Sequence, residues 1–319
     1  MKKILITGIS GFVGKFLAEH LLSKGEYEIV GTYRSENSIS QLDTIKNSIK
    51  LEKADLLDPE AVAHVITSNK PDAIFHLAAM TSPKESFDNP SQTITNNITS
   101  QLNILEVLRT NAMKQVRTLI IASSEVYGMI DKSDLPVDEE TKLQPISPYA
   151  VSKIAQDYLG LQYYLTHKLD IIRVRPFNHV GPGQSNRFIV SDFAQQIAEI
   201  EKGKRDPVMK VGNLDAKRDF TDVRDIVKAY GLLLEKGVAG DVYNIGSGRS
   251  YKIKDILSIL LSFSKKETKI VTDPAKVRPV DIEEIICDSS KLHTLTGWKT
   301  EITLEKTLQD VLDYWREIV

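Results

Sequence analysis

Short apolar runs alternate with amphipathic stretches along most of the chain. Residues 3–7 (Lys-Ile-Leu-Ile-Thr) form a β-branched run of the kind that suits a strand buried on both faces. Residues 14–24 follow with Phe16, Leu17, Leu21 and Leu22 at helical spacing. Residues 28–33 predict a second strand, and an apolar run over 73–77, after Pro71 and Asp72, predicts another. A long helical stretch covers 92–110, and 118–122 read as a further buried strand. Ser147 and Pro148 then open a helix reaching about 167, serine being a good N-cap and proline fitting the first helical position. Residues 170–175 return to strand. Strands alternating with helices predict a parallel, doubly wound α/β sheet with helices on both faces.

The texture changes after Pro176. Residues 178–187 predict a polar loop containing Gly181, Pro182 and Gly183. Helices are expected near 188–202 and 222–236, short strands near 208–211 and 242–245, a helix near 253–263 and a last one over 303–317. This pattern divides the chain into a main unit over 1–178, to which part of 213–248 returns, and a smaller C-terminal α/β lobe over 179–319.

Composition narrows the function classes. Apolar residues make up 41% and charged residues 26%, ordinary values for a folded globular protein. Lys plus Arg number 41 against 43 Asp plus Glu, a net charge of -2. A nucleic-acid binder should show a basic excess, so none is expected, although local basic sites for a phosphorylated small molecule remain open. Cys287 is the single cysteine; an internal disulfide is impossible, and a reducing, cytoplasmic setting is expected. The N-terminal apolar run breaks at Gly8 and Gly11, too early for a signal segment. No run approaches the ~20 apolar residues needed to span a bilayer, so no membrane association is expected. The histidines show no metal-ligand spacing, and no metal is expected.

Two constellations carry chemistry. Gly8, Gly11 and Gly14, with Phe12 and Val13 among them, lie between the first strand and the first helix. Glycines there permit a tight turn and let backbone approach a pyrophosphate resting on the helix N-terminus, as in a Rossmann-type dinucleotide site. At the end of the second strand an NAD site places an acid on the ribose hydroxyls. Here Arg34 and Ser35 follow Tyr33, which suits a 2′-phosphate and favours NADP(H), with NAD(H) the alternative. Asp55 and Leu56 are candidates for adenine contact. The second constellation is Tyr149 and Lys153, four apart on one helix face. A cation beside a tyrosine is expected to lower the phenol's pKa and ready it for proton transfer at a sugar oxygen. The lysine can also hold the nicotinamide ribose. Ser123 closes a buried strand at its carboxyl edge, where it could polarise the same oxygen.

These motifs, with His76-Leu77-Ala78-Ala79 and the run from Ser123 to Gly128, resemble the extended short-chain dehydrogenase/reductase family acting on nucleotide sugars. The segments 175–184, 211–225 and 296–298 resemble its GDP-mannose dehydratase and GDP-6-deoxy-mannose reductase branch, with the stretch around Arg218 closer to the reductases. The resemblance implies an NADP-binding domain over 1–178 and a nucleotide-sugar lobe over 179–319. It implies Ser123, Tyr149 and Lys153 as catalytic residues, with Leu77, Ala78, Ala79 and Pro176 joining the cofactor contacts. Asn178 would orient the substrate, while Asn213, Arg218 and Arg278 would grip its diphosphate, work that suits guanidinium groups. Asp281 would hold a ribose or base edge. A homodimer through the helices at 92–110 and 149–167 is implied.

Glu125 leaves two activities open. In the family's dehydratases an acid at this place removes the C5 proton after C4 is oxidised, yet some reductases carry it too. Ser123, where dehydratases usually have threonine, favours a reductase. The leading expectation is NADPH-dependent reduction of GDP-4-keto-6-deoxy-D-mannose to GDP-D-rhamnose. GDP-mannose 4,6-dehydration and 4-epimerisation follow. A non-catalytic NADP-binding regulator is a different class, which the presence of both Tyr149 and Lys153 disfavours.

Overall fold

A computed structural model describes the 319 residues with the exception of 278 and 279. The first half runs β1 (Lys2–Thr7), α1 (Phe12–Ser23), β2 (Tyr27–Tyr33), β3 (Lys50–Lys53), α2 (Pro59–Asn69), β4 (Ala73–His76), α3 (Pro83–Asp88), α4 (Pro90–Thr110), β5 (Arg117–Ile121), α5 (Pro148–His167) and β6 (Ile171–Pro176). The second half continues β7 (Asn178–Val180), α6 (Ile189–Glu201), β8 (Val208–Val211), β9 (Lys217–Asp222), α7 (Val223–Lys236), β10 (Val242–Ile245), β11 (Ser250–Lys252), α8 (Ile253–Ser262), β12 (Lys269–Thr272), α9 (Ser290–Thr296) and α10 (Leu304–Ile318).

Seven parallel strands form the main sheet in the order β10-β6-β5-β4-β1-β2-β3. The order grows outward in both directions from β1, so the chain reverses beside it, and a crevice opens there at the strands' carboxyl ends. The sheet's central strands are apolar on both faces because both faces are covered. On one side α1 and α7 pack with Leu17, Leu21, Ile226 and Leu233. On the other, α2, α4 and α5 bring Val62, Ile66, Ile104, Leu108 and Tyr163. A separate core in the smaller lobe joins α6, α8 and α10 through Phe193, Ile197, Ile256, Leu260 and Leu308.

The expected polar loop over 178–187 needs a correction. Its first three residues form β7, paired in parallel with β9, which also pairs antiparallel to β11. The partner strand supplies the order that the local composition does not. The segment after 213 divides between the units: β9 lies in this three-stranded sheet, while α7 packs on α1 and β10 closes the edge of the main sheet beside β6. No helix among the described residues is long and apolar enough to cross a membrane.

Candidate active site

The turn between β1 and α1 is built on two steric requirements. Gly8 adopts φ +69°, and a Cβ on it would come 2.9 Å from the Ala78 Cα. A Cβ at Gly14 would come 2.6 Å from the carbonyl oxygens of both Gly8 and Ile9. Glycine at both places lets the turn close, with the Gly11 N–H donating to the Gly8 carbonyl at 2.9 Å. The opening of α1 therefore faces a cleft of about 760 Å³ along the carboxyl edge of the main sheet. Arg34, Ser35, Asp55 and Leu56 line it beyond β2 and β3. Gly8, Gly11, Phe12, Val13, Gly14, Leu77, Ala78 and Ala79 line its middle, and Ser123, Glu125, Tyr149, Lys153, Pro176 and Asn178 line it beyond β5 and β6. Asp55 uses one carboxylate oxygen to accept the Leu57 N–H at 3.0 Å, which fixes the turn there.

Local capping aims the residues at the far end. The Ser147 hydroxyl accepts the Ala150 N–H at 3.1 Å and Pro148 fills the first turn of α5, so Tyr149 and Lys153 leave the helix on the cleft side. The Ser123 hydroxyl accepts the Glu125 N–H at 3.2 Å, capping a one-turn helix over Ser124–Val126. Tyr149 and Lys153 are both buried. The Lys153 ammonium donates to the Ile121 carbonyl at 2.8 Å, and burial pushes its pKa down to about 7.

The expectation that Lys153 lowers the Tyr149 phenol is not what this structure shows. Burial pushes the phenol up, a hydrogen bond with Ser123 opposes the shift, and the Glu125 carboxylate adds to it. The lysine instead spends its proton on a strand carbonyl. Tyr149 is therefore a proton donor at neutral pH in this arrangement.

Behind the pair lies a polar layer that sequence reasoning passed over. The Thr7 hydroxyl and His76 Nδ1 are 2.9 Å apart, and Gln156 approaches His76 Nε2 at 3.4 Å. Burial, and then the charge of Lys153, push His76 down to about 3, so the imidazole is neutral. Asn97 of α4 accepts the Met80 N–H at 2.7 Å and donates to the Met80 carbonyl and the Ser152 hydroxyl. It pins the loop after β4 to α5. His76 could have been found from its place at the end of an apolar run; Asn97 gave no signal beyond helical spacing.

His179 lines the same cleft, donates from Nδ1 to the Phe177 carbonyl at 3.1 Å and lies parallel to the Phe12 ring at 6.2 Å. The residues expected to hold a diphosphate form a second cluster. Arg218 donates to the Lys217 and Ile282 carbonyls and to Asp281. Asn213 donates to the other Asp281 oxygen at 3.0 Å. Asn213, Arg218 and Asp281 thus meet one another, and they are not among the residues lining the cleft. Arg278 lies outside the described residues.

Comparison with known proteins agrees with this geometry. The family model for GDP-mannose 4,6 dehydratase matches residues 5–311. The chain is 35% identical to the GDP-6-deoxy-D-mannose reductase of Pseudomonas aeruginosa over 318 residues, which is 100% of this chain and 98% of that one. It is 28% identical to the GDP-mannose 4,6-dehydratase of Yersinia enterocolitica, covering 98% of this chain and 93% of that one. A solved structure of RMD from Pseudomonas aeruginosa complexed with NADPH superposes with a TM-score of 0.87 at 34% identity, all of both chains being covered. A dinucleotide-shaped crevice beside β1, a Ser-Tyr-Lys set at its far end and a match over nearly the whole length lead to one assignment: the chain belongs to the GDP-mannose 4,6-dehydratase family, within the extended short-chain dehydrogenase/reductases.

Proposed function

We propose that this protein is an NADPH-dependent reductase of the C4 ketone of GDP-4-keto-6-deoxy-D-mannose, giving GDP-D-rhamnose. The observation that carries the reading is a single cleft with Arg34 and Ser35 at one end and Ser123, Tyr149 and Lys153 at the other. Its donor set fits NADPH: a guanidinium where a 2′-phosphate would lie, an open helix N-terminus in the middle, and a buried lysine near the ribose position. The full-length similarity to a reductase at 35%, against 28% for a dehydratase, gives the direction.

Bound there, NADPH supplies a hydride to the carbonyl carbon. The protein's own residues do the remainder. Ser123 hydrogen-bonds the ketone oxygen and Tyr149, whose phenol burial keeps protonated, gives that oxygen its proton. Lys153 holds the ribose and, once charged, compensates the phenolate left behind. Ketone, hydride and proton add up to the alcohol, and the cofactor leaves oxidised. Asn178 orients the sugar, while Arg218, Asn213, Asp281 and Arg278 receive the nucleotide diphosphate. The protein works as a cytoplasmic homodimer through α4 and α5, where Val151, Tyr158 and Leu165 of α5 are exposed.

A second reading, GDP-mannose 4,6-dehydratase, is favoured by one observation: Glu125 lines the cleft two residues beyond Ser123, where a C5 base is required. Near-ultraviolet absorbance of NADPH separates the two. A stoichiometric fall on adding the keto-sugar supports the reductase. No fall, with GDP-mannose losing one water in the presence of catalytic NADP, replaces it with the dehydratase.

A further inference from the structure

Arg187 stands where the chain leaves the cleft for the smaller lobe. Its N–H donates to the Ser185 hydroxyl at 3.3 Å, and the Phe188 N–H donates to the Ser185 carbonyl at 3.1 Å. Phe188 is the N-cap of α6, whose apolar side belongs to the smaller lobe's core. The backbone is fixed there, but the side chain is 64% exposed, and its guanidinium donates to a Glu85 carboxylate oxygen at 3.1 Å. Glu85 belongs to α3, which packs on α4 and on α5, the helix that carries Tyr149 and Lys153. Beside it, Lys84 donates to the Ala275 carbonyl at 2.7 Å. Arg187 thus reaches from the smaller lobe to the main unit on the α5 side, and it also lines the cleft.

We infer that Arg187 is a substrate-binding residue that meets the diphosphate of the nucleotide sugar, and that Glu85 holds its guanidinium at the cleft until the diphosphate displaces it; the inference rests on the nucleotide-sugar reading. With the sugar at Tyr149 and the nucleoside on the smaller lobe, the diphosphate that joins them crosses the seam where Arg187 stands. Among the described residues lining the cleft, the lysine and arginine side chains are Arg34, Lys153 and Arg187. Arg34 lies at the opposite end, beyond β2, and Lys153 is buried on the Ile121 carbonyl. Arg218 is paired with Asp281 and does not line the cleft. Arg187 is therefore the cleft's cation at the seam. The Glu85 side chain that holds it is 41% exposed, and an ion pair so open to water contributes little. A guanidinium on phosphate oxygens makes charge-assisted, bidentate hydrogen bonds, so the exchange favours the ligand.

The test is calorimetric titration of GDP, UDP and NADPH into the unchanged protein, Arg187→Met and Glu85→Gln. Arg187→Met should weaken GDP binding about tenfold, the cost of a hydrogen bond to a charged group, and leave NADPH binding as it was. Glu85→Gln should tighten GDP binding about two- to threefold, because the competing carboxylate of an exposed pair is gone. Unchanged GDP affinity in Arg187→Met would overturn the assignment, as would a loss shared equally by NADPH, which would put the guanidinium on the cofactor's pyrophosphate. Weaker GDP binding in Glu85→Gln would also overturn it, showing the ion pair to be a brace that the site needs. UDP binding in place of GDP, with the same dependence on Arg187, would change the base and support the inference. An unchanged protein that bound NADPH but neither GDP nor UDP would overturn the nucleotide-sugar reading itself.

Discussion

Lys153 and His76 make the cleft sensitive to pH in ways whose signs differ from a surface lysine or histidine. Lys153 keeps its proton to about pH 7 when folded, against about 10.5 for an ordinary lysine. Between those values the unfolded chain holds the proton and the folded one has released it, so the free protein gains stability as pH rises from about 7 towards 10.5. Below 7 this group contributes a constant penalty. Lys153→Met should flatten that slope in urea titrations at pH 7, 8, 9 and 10; an identical slope would show that the lysine is solvated. His76, pushed from 6.5 down to about 3, acts in the acid range: stability present above pH 6.5 is lost as pH falls towards 3. Tyr149→Phe should lower turnover by about 10²–10⁴-fold with NADPH binding nearly intact, as measured by steady-state kinetics and cofactor fluorescence. The residues with a chemical reason for their spacing were legible: the glycines, Arg34, Ser123, Tyr149 and Lys153. Asn97 was not, since an asparagine on a helix face takes its meaning from a partner 50 or more positions away, as Asn97 does from Ser152.

At the level of elements, β1 and α1 meet so closely that one methyl group separates fit from conflict. The atoms facing Gly14 are backbone carbonyls and a Cα, which cannot swing aside as a side chain could. Gly14→Ala should therefore cost about 1–3 kcal/mol and weaken NADPH binding with it, measured by urea unfolding and by titration of the cofactor. Helix α5 is fixed to β6 by a buried carboxylate: Asp157 accepts from Arg173 at 2.6 Å and from Arg175 at 2.7 Å. Asp157→Ala leaves two buried guanidinium groups without it and should destabilise by about 3–5 kcal/mol; a midpoint within experimental error of the parent would show that solvent replaces the carboxylate. The strands of the smaller lobe were the least legible elements. β9 reads Lys-Arg-Asp-Phe-Thr-Asp, yet all but its first residue are buried. Asp219 is tolerated there because the N–H groups of Ser247, Gly248 and Cys287 all donate to it, and nothing near position 219 announces those donors.

For the whole molecule, the cofactor cleft draws on β1 through β6 and on α7, so ligand binding should be felt globally. NADPH at a hundred times its Kd should add about 2.7 kcal/mol and raise the melting temperature by a few degrees. NADH should do less, and Arg34→Ala should erase most of the difference between them. Equal shifts for both cofactors in the parent would show that Arg34 does not read the phosphate. Much of the alternation of strand and helix in the first half was legible because its buried strands are short apolar runs and its long helices have amphipathic spacing, whereas β3, α2 and α3 were not read. The division of the segment after 213 was not, because it is set by which unit can bury each piece.

The packing of α7 on α1 also bears on how the chain is made. α1 ends at Ser23 and its partner begins at Val223, so about 200 residues separate them. At ~5–20 residues per second, synthesis of that interval takes roughly 10–40 s. Through that time the face of α1 that meets α7, with Leu17 and Leu21, has no cover from its own chain, and once β6 is made its edge stays open until β10. The apolar surface of the N-terminal half is therefore exposed during synthesis until α7 and β10 emerge to close it.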